Sequence, residues 1–106
     1  MIYLHVTVQV HRGKMAEWTK IYKDHLLPAM EKHGQRLVAA WKTSVGIYDE
    51  VTDLYAFEDF TEFQNIREKL FNEPEVLKWL PIIYEITGKE ESKILSPLGY
   101  GEMTKE

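Results

Sequence analysis

A chain of 106 residues has room for one domain and not for two, and its 44% hydrophobic content excludes global disorder. The net charge of −4 comes from acids and bases mixed along the chain, with no basic stripe to neutralise phosphates, which makes nucleic acid an improbable partner. Absence of cysteine removes disulfides, thiolate zinc sites and cysteine nucleophiles, and no run approaches the ~18 apolar residues of a membrane span.

Met1–His5 lacks the basic region and apolar run of a signal peptide, so a cytoplasmic location is expected. Residues 2–10 then alternate. Ile2, Leu4, Val6, Val8 and Val10 point one way; Tyr3, His5, Thr7 and Gln9 point the other. That period of two predicts a strand. His11-Arg12-Gly13 reads as a turn. A helix follows from about Lys14 to Lys32, because Met15, Trp18, Tyr22, His25, Leu26, Ala29 and His33 recur at three- and four-residue spacing. Pro28 is expected to kink or divide that helix near Leu27, and Gly34 suits its C-cap.

Leu37–Val45 reads as a second strand, with Leu37, Ala39, Trp41 and Thr43 on one face. Val51–Phe57 is a third, with Val51, Asp53, Tyr55 and Phe57 together. The short link between them predicts an antiparallel hairpin. Asp59 or Thr61 caps a helix running to about Asn72, whose stripe is Phe60, Phe63, Arg67, Leu70 and Phe71. Pro74 suits the first position of a further helix through Val76, Leu77, Leu80, Ile83 and Tyr84, interrupted by Pro81 and ended by Gly88. Lys93–Ser96 is expected as a short last strand. Residues 1–98 are then the domain and 99–106 a polar tail.

The order strand, helix, strand, strand, helix, strand predicts an α+β, ferredoxin-like βαββαβ fold: one antiparallel sheet with helices on one face. The bare face carries either the Ile/Leu/Val set or an aromatic set with Tyr3, Trp41, Tyr55 and Phe57. Neither suits water, since contiguous apolar patches of more than roughly several hundred Å² mark interfaces. A homodimer joined through sheet faces is the consequence.

Candidate chemistry is sparse. His25, at the edge of the first helix's stripe, has the residue type of a general base; the structural alternative is a hydrogen bond to a carbonyl freed by Pro28. His33 beside Gly34 suits the helix terminus better than catalysis. His5 shares a strand face with Tyr3 and Thr7. If the strands align, Trp41, Asp53 and Tyr55 join it, and a His5–Asp53 contact would orient the imidazole; polar filling of a dimer interface is the favoured alternative. Arg67 lies mid-stripe between Phe63 and Phe71 and must snorkel or find an anion, either a ligand carboxylate or, as favoured, Asp53 or a nearby Glu. No HxH, HExxH, EF-hand, Gly-rich dinucleotide or Walker pattern and no G-x-S-x-G elbow occurs, so neither metal nor cofactor is expected.

Taken together, Ile2-Tyr3, His11-Arg12-Gly13-Lys14, Asp24-His25-Leu26-Leu27-Pro28, Lys32-His33-Gly34, Leu37-Val38-Ala39-Ala40-Trp41, Asp49-Glu50-Val51, Leu54-Tyr55-Ala56-Phe57, Asn72-Glu73-Pro74-Glu75 and Glu91–Pro97 make an ordered pattern. It resembles the NIPSNAP family of dimeric α+β barrel proteins over nearly the whole chain. Two positions depart from the family's pattern: Asp53 stands where histidine is favoured and Tyr55 where tryptophan is. The resemblance implies a two-subunit barrel, sheets inside and helices outside. It implies no one reaction, because the wider superfamily includes cofactor-independent monooxygenases, isomerases and haem-handling enzymes, which commonly use a pocket between sheet and helices.

The expectation is therefore a homodimer binding a small apolar or aromatic molecule in a helix–sheet cleft. Tyr3, Tyr22, Trp41, Asp53, Tyr55 and Arg67 are its expected ligand-binding residues, and His25 or His5 the base if chemistry occurs. The alternatives are a non-catalytic interaction or sensing module and a cofactor-independent monooxygenase or isomerase.

Overall fold

Alternating β-branched residues make β1 (Ile2–Val10) the strand on which the sheet is built. The structure, a computed structural model, describes residues 1–105, so Glu106 at the end of the expected tail lies outside the described residues. β1 pairs antiparallel with β3 (Glu50–Phe57) on one side and β4 (Thr87–Leu95) on the other, and β2 (Arg36–Lys42) pairs with β3. The strand order is β2-β3-β1-β4. This is the ferredoxin-like α+β arrangement, with all helices on one sheet face.

The first helix is built in three pieces. α1 (Met15–Ile21) runs into a π-helical segment, Tyr22–Leu26, and continues as α2 (Leu27–Lys32). Pro28 accounts for the division. It has no N–H for the Asp24 carbonyl four residues back, and its ring crowds that carbonyl. The chain widens just before it, so that the Leu27 N–H reaches the Tyr22 carbonyl five residues back. α2 ends where Gly34, at φ 92°, takes the left-handed conformation. Its N–H donates to the Glu31 carbonyl at 3.0 Å, and the Gln35 N–H donates to that of Met30 at 2.9 Å.

α3 (Phe60–Leu70) is capped by Asp59, whose Oδ1 accepts from the Glu62 N–H at 2.8 Å. α4 (Pro74–Ile86) runs unbroken through Pro81, against the expectation of an interruption. Pro81 and Leu77, whose carbonyl loses its partner, are both exposed, so water can satisfy that carbonyl. Gly88 does not end the helix but sits in β4, which follows α4 directly. None of the described helices is long and apolar enough to cross a membrane.

Register decides which side chains face the helices. Ile2, Leu4, Val6 and Val8 stand opposite Phe57, Tyr55, Asp53 and Val51. Directly paired residues share a face, so these eight line the covered side and supply much of the core with Trp18, Ile21, Leu26, Ile66, Leu70 and Ile83. Tyr3, His5 and Thr7, opposite Ala56, Leu54 and Thr52, lie on the uncovered side. In β2 the ladder slips between Leu37, opposite Tyr55, and Ala39, opposite Leu54. The extra residue, Val38, moves Ala39 and Trp41 to the uncovered face while Leu37 stays with the helices. Leu37, Ala39 and Trp41 therefore do not share a face as the alternation suggested.

Candidate functional site

A cavity of about 210 Å³ lies between the sheet and the helices. Its walls are mainly apolar: Leu4, Val6 and Val8 from β1, Trp18, Tyr22 and Leu26 from the first helix, Leu70 and Phe71 from the end of α3, and Val76, Leu80 and Ile83 from α4. Glu90 and Ser92 of β4 line it as well. Trp18 and Tyr22 stack at 4.9 Å between ring centroids, which fixes the Tyr22 ring on this wall.

Few polar groups enter this space. Asp53 is 3% exposed, and its Oδ1 has no hydrogen-bond partner. Burial, with the negative charge of Glu90 adding to it, pushes the Asp53 carboxyl up from 3.8 to about 7. The Tyr22 and Tyr55 hydroxyls hydrogen-bond to each other, and the Tyr22 hydroxyl also lies 3.6 Å from Met30 Sδ. Burial drives the Tyr55 hydroxyl well above its ordinary range; the Arg67 charge opposes that shift and Glu90 adds to it. Arg67 also lines the cavity. Its guanidinium lies over the Phe71 ring at 4.9 Å and the Phe63 ring at 5.9 Å. Burial lowers its pKa, offset in part by Tyr55, Glu90 and Tyr84.

Four of the residues singled out from sequence meet here: Tyr22, Asp53, Tyr55 and Arg67. Four do not. His5 lies opposite Leu54 on the uncovered face, and Asp53 lies opposite Val6 on the other, so the His5–Asp53 contact does not exist. Tyr3 and Trp41 share the uncovered face with His5. His25 stacks on Trp79 at 4.1 Å, with Nδ1 3.3 Å from Glu75 Oε2. The Trp79 Nε1–H donates to the same Glu75 oxygen at 3.1 Å, so His25 is held against α4 and outside the cavity lining. The expected ion pair of Arg67 with Asp53 or a Glu is also absent among the described residues; two phenyl rings hold it instead.

Two further polar residues were given no role from the sequence. Glu90 reaches the cavity because β4 begins at Thr87, in a charged stretch with no apolar alternation to reveal it. Glu73 precedes α4, and its Oε1 accepts from Lys32 Nζ and contacts His33 Nε2, both at 2.9 Å. Hydrogen bonds from Lys32, His33 and the Glu75 N–H hold its carboxyl down at about 2. That knot ties the end of α2 to the start of α4, and His33 serves it as a structural residue.

The architecture defines a class first: a ferredoxin-like α+β domain with a cavity between helices and sheet. A crystal structure of an antibiotic biosynthesis monooxygenase has this fold, with a TM-score of 0.70 over 92% of this chain and 99% of that one. At 7% identity, that likeness is one of fold alone. Within the class, the NIPSNAP family model matches residues 3–101, and the chain belongs to the NIPSNAP family. An uncharacterised NIPSNAP domain protein from Burkholderia xenovorans is similar at 27% identity and a TM-score of 0.88, covering 95% of this chain and 98% of that one. A NIPSNAP family protein from Agrobacterium tumefaciens superposes with a TM-score of 0.90 at 18% identity, covering 96% and 97%. No curated protein matches the chain.

Proposed function

We propose that this NIPSNAP chain is a homodimeric binding protein that holds a small aromatic molecule in the helix–sheet cavity of each subunit. The observation that carries this reading is Asp53: a buried oxygen without a partner, on the wall of an apolar cavity. Leaving such an atom unsatisfied costs roughly 1–3 kcal/mol, which a hydrogen-bond donor on a ligand removes. Size agrees. A dry apolar cavity of roughly 150 Å³ holds benzene, so about 210 Å³ suits one ring with a short substituent.

p-Cresol offers such a ring and one hydroxyl donor. In excess it should quench the fluorescence of Trp18, which lines the cavity, and raise the melting temperature. At ten times Kd the stabilisation is ~1.4 kcal/mol, worth about 5 °C or more in a domain of this size. Val76→Trp, which fills the cavity, should abolish both effects. If millimolar p-cresol, phenol and indole all leave fluorescence and melting unchanged, the reading fails.

A non-catalytic interaction module remains the second reading. It is supported by Val45, Ile47 and Tyr48, three exposed apolar residues in the loop between β2 and β3.

A further inference from the structure

The polar residues of the cavity have a pattern beyond simple ligand binding. Asp53 is a carboxyl withdrawn from water with one oxygen uncommitted. Arg67 is a cation that lines the same space and lies on two phenyl rings, with no carboxylate paired to it among the described residues. Among the described residues, no histidine lines the cavity. A proton acceptor and an unpaired cation on the walls of one apolar space are the two groups that carbon-acid chemistry needs. One takes the proton; the other stabilises the anion left behind.

We infer that Asp53 is the catalytic base of this cavity, removing the acidic C–H proton next to the carbonyl of a bound aromatic keto acid while Arg67 faces the enolate. The inference rests on the cavity being a ligand site. In the step, the C–H bond breaks and an O–H bond forms on Asp53 Oδ1. The electron pair of the broken bond becomes the carbon–carbon double bond of the enolate, and the carbonyl π pair moves onto oxygen, which takes the charge. Returning the proton to carbon regenerates the ketone, and delivering it to oxygen gives the enol. The cycle is a tautomerisation, so atoms and electrons balance without an oxidant, a reductant or a metal.

The surroundings suit that role. Asp53 shares the cavity with Glu90 of β4, Arg67 of α3, Tyr22 of the π-helical segment, Tyr55 of β3 and Tyr84 of α4. Glu90 disfavours its charge and makes it a stronger base, and Arg67 is the positive charge of the cavity wall. A base titrating at about 7 is in part ionised at neutral pH and is far more basic than an ordinary carboxylate. The apolar walls hold the aromatic ring, and a keto acid's own carboxylate offers Arg67 an anion in the ground state.

Phenylpyruvate carries the ring, the keto group, the carboxylate and the acidic methylene. Its hydrogen–deuterium exchange in heavy water, followed by proton NMR with the full-length chain, reads the step directly. The expected result is exchange above the buffer rate, rising with pH through about 7 as Asp53 ionises. Asp53→Asn should lower the protein-catalysed rate at least tenfold while still binding p-cresol, which shows an intact cavity. Arg67→Met should weaken phenylpyruvate binding and leave p-cresol binding in place. His25→Ala, outside the cavity, should keep the wild-type rate. If both compounds bind and exchange is equal in wild type and Asp53→Asn, the base assignment is overturned and the binding site stands. If p-cresol binds and phenylpyruvate does not, the keto-acid class is wrong. If neither binds, the cavity reading falls with the inference.

Discussion

Folding moves Asp53 out of water onto an apolar wall near Glu90, and its carboxyl rises from 3.8 to about 7. Between those two values the folded chain holds a proton that the unfolded chain has released. Stability from this group is therefore full below about 3.8, falls as pH rises toward about 7, and levels off above that. At 1.36 kcal/mol per unit, the loss is at most about 4 kcal/mol. Urea denaturation of Asp53→Asn should show no such decline and should find the variant more stable than wild type at pH 7.5. Equal pH slopes for the two proteins between pH 4 and 7 would contradict the buried carboxyl. Glu73 acts in a different window. Its depressed carboxyl contributes stability above about 4.5 that is lost as pH falls toward about 2, so the two effects separate. Sequence alone found Asp53, Tyr55 and Arg67 as unusual residues but gave Asp53 the wrong companion. Which residues of two paired strands share a face depends on their register, and nothing in the alternation of β1 says that Val6, not His5, stands opposite Asp53.

At the scale of the element, local chemistry was readable where one residue decides the outcome. Gly34 ends α2, Pro28 divides the first helix and Asp59 caps α3, each through a backbone group the residue supplies, withholds or accepts. Asp59→Ala should destabilise the domain by about 1 kcal/mol in chemical denaturation, with an unchanged denaturant slope. No loss would mean that the end of α3 is satisfied by water as well as by the side chain. Elements defined by their neighbours were less legible. Only a short strand at Lys93–Ser96 is expected from sequence; Lys89, Glu90 and Glu91 before it carry no strand signal and join β4 because β1 offers them a ladder. The Val38 bulge is equally silent in sequence, yet it sets where Trp41 points. The π-helical segment has a consequence for the cavity. The wider turn that accommodates Pro28 includes both Tyr22, a cavity-wall residue, and His25, which faces Glu75 and Trp79.

For the whole molecule, the fold was legible because the order of periodic segments leaves few ways to bury their faces. Helices cover one side of the sheet. The other presents Tyr3, His5, Leu54 and Trp41, with Trp41 52% exposed. We expect the wild-type chain to sediment at micromolar concentration as a species of twice its 12.5 kDa mass. Trp41→Glu should shift that equilibrium toward single chains without loss of helical circular dichroism, because its half-exposed side chain lies on the sheet face away from the core. A wild-type protein that sediments as a single chain would refute face-to-face pairing.

The charges along β4 bear on how such assembly ends. β4 and β2 are the outer strands, and each has one row of backbone groups with no neighbour in the sheet. Another copy adding there would leave its own outer strand open for the next, and growth would run on without limit. On β4 the row is guarded by Lys89, Glu90, Glu91 and Lys93, charges that would have to shed water to admit a new strand. On β2 the irregularity at Val38 spoils the straight ladder that a new strand would need. Addition at the rims is thus penalised at both ends, whereas two copies meeting through their flat surfaces use up the surface in a single event. The same charged residues that mask the first half of β4 in sequence would favour a closed pair over a fibre.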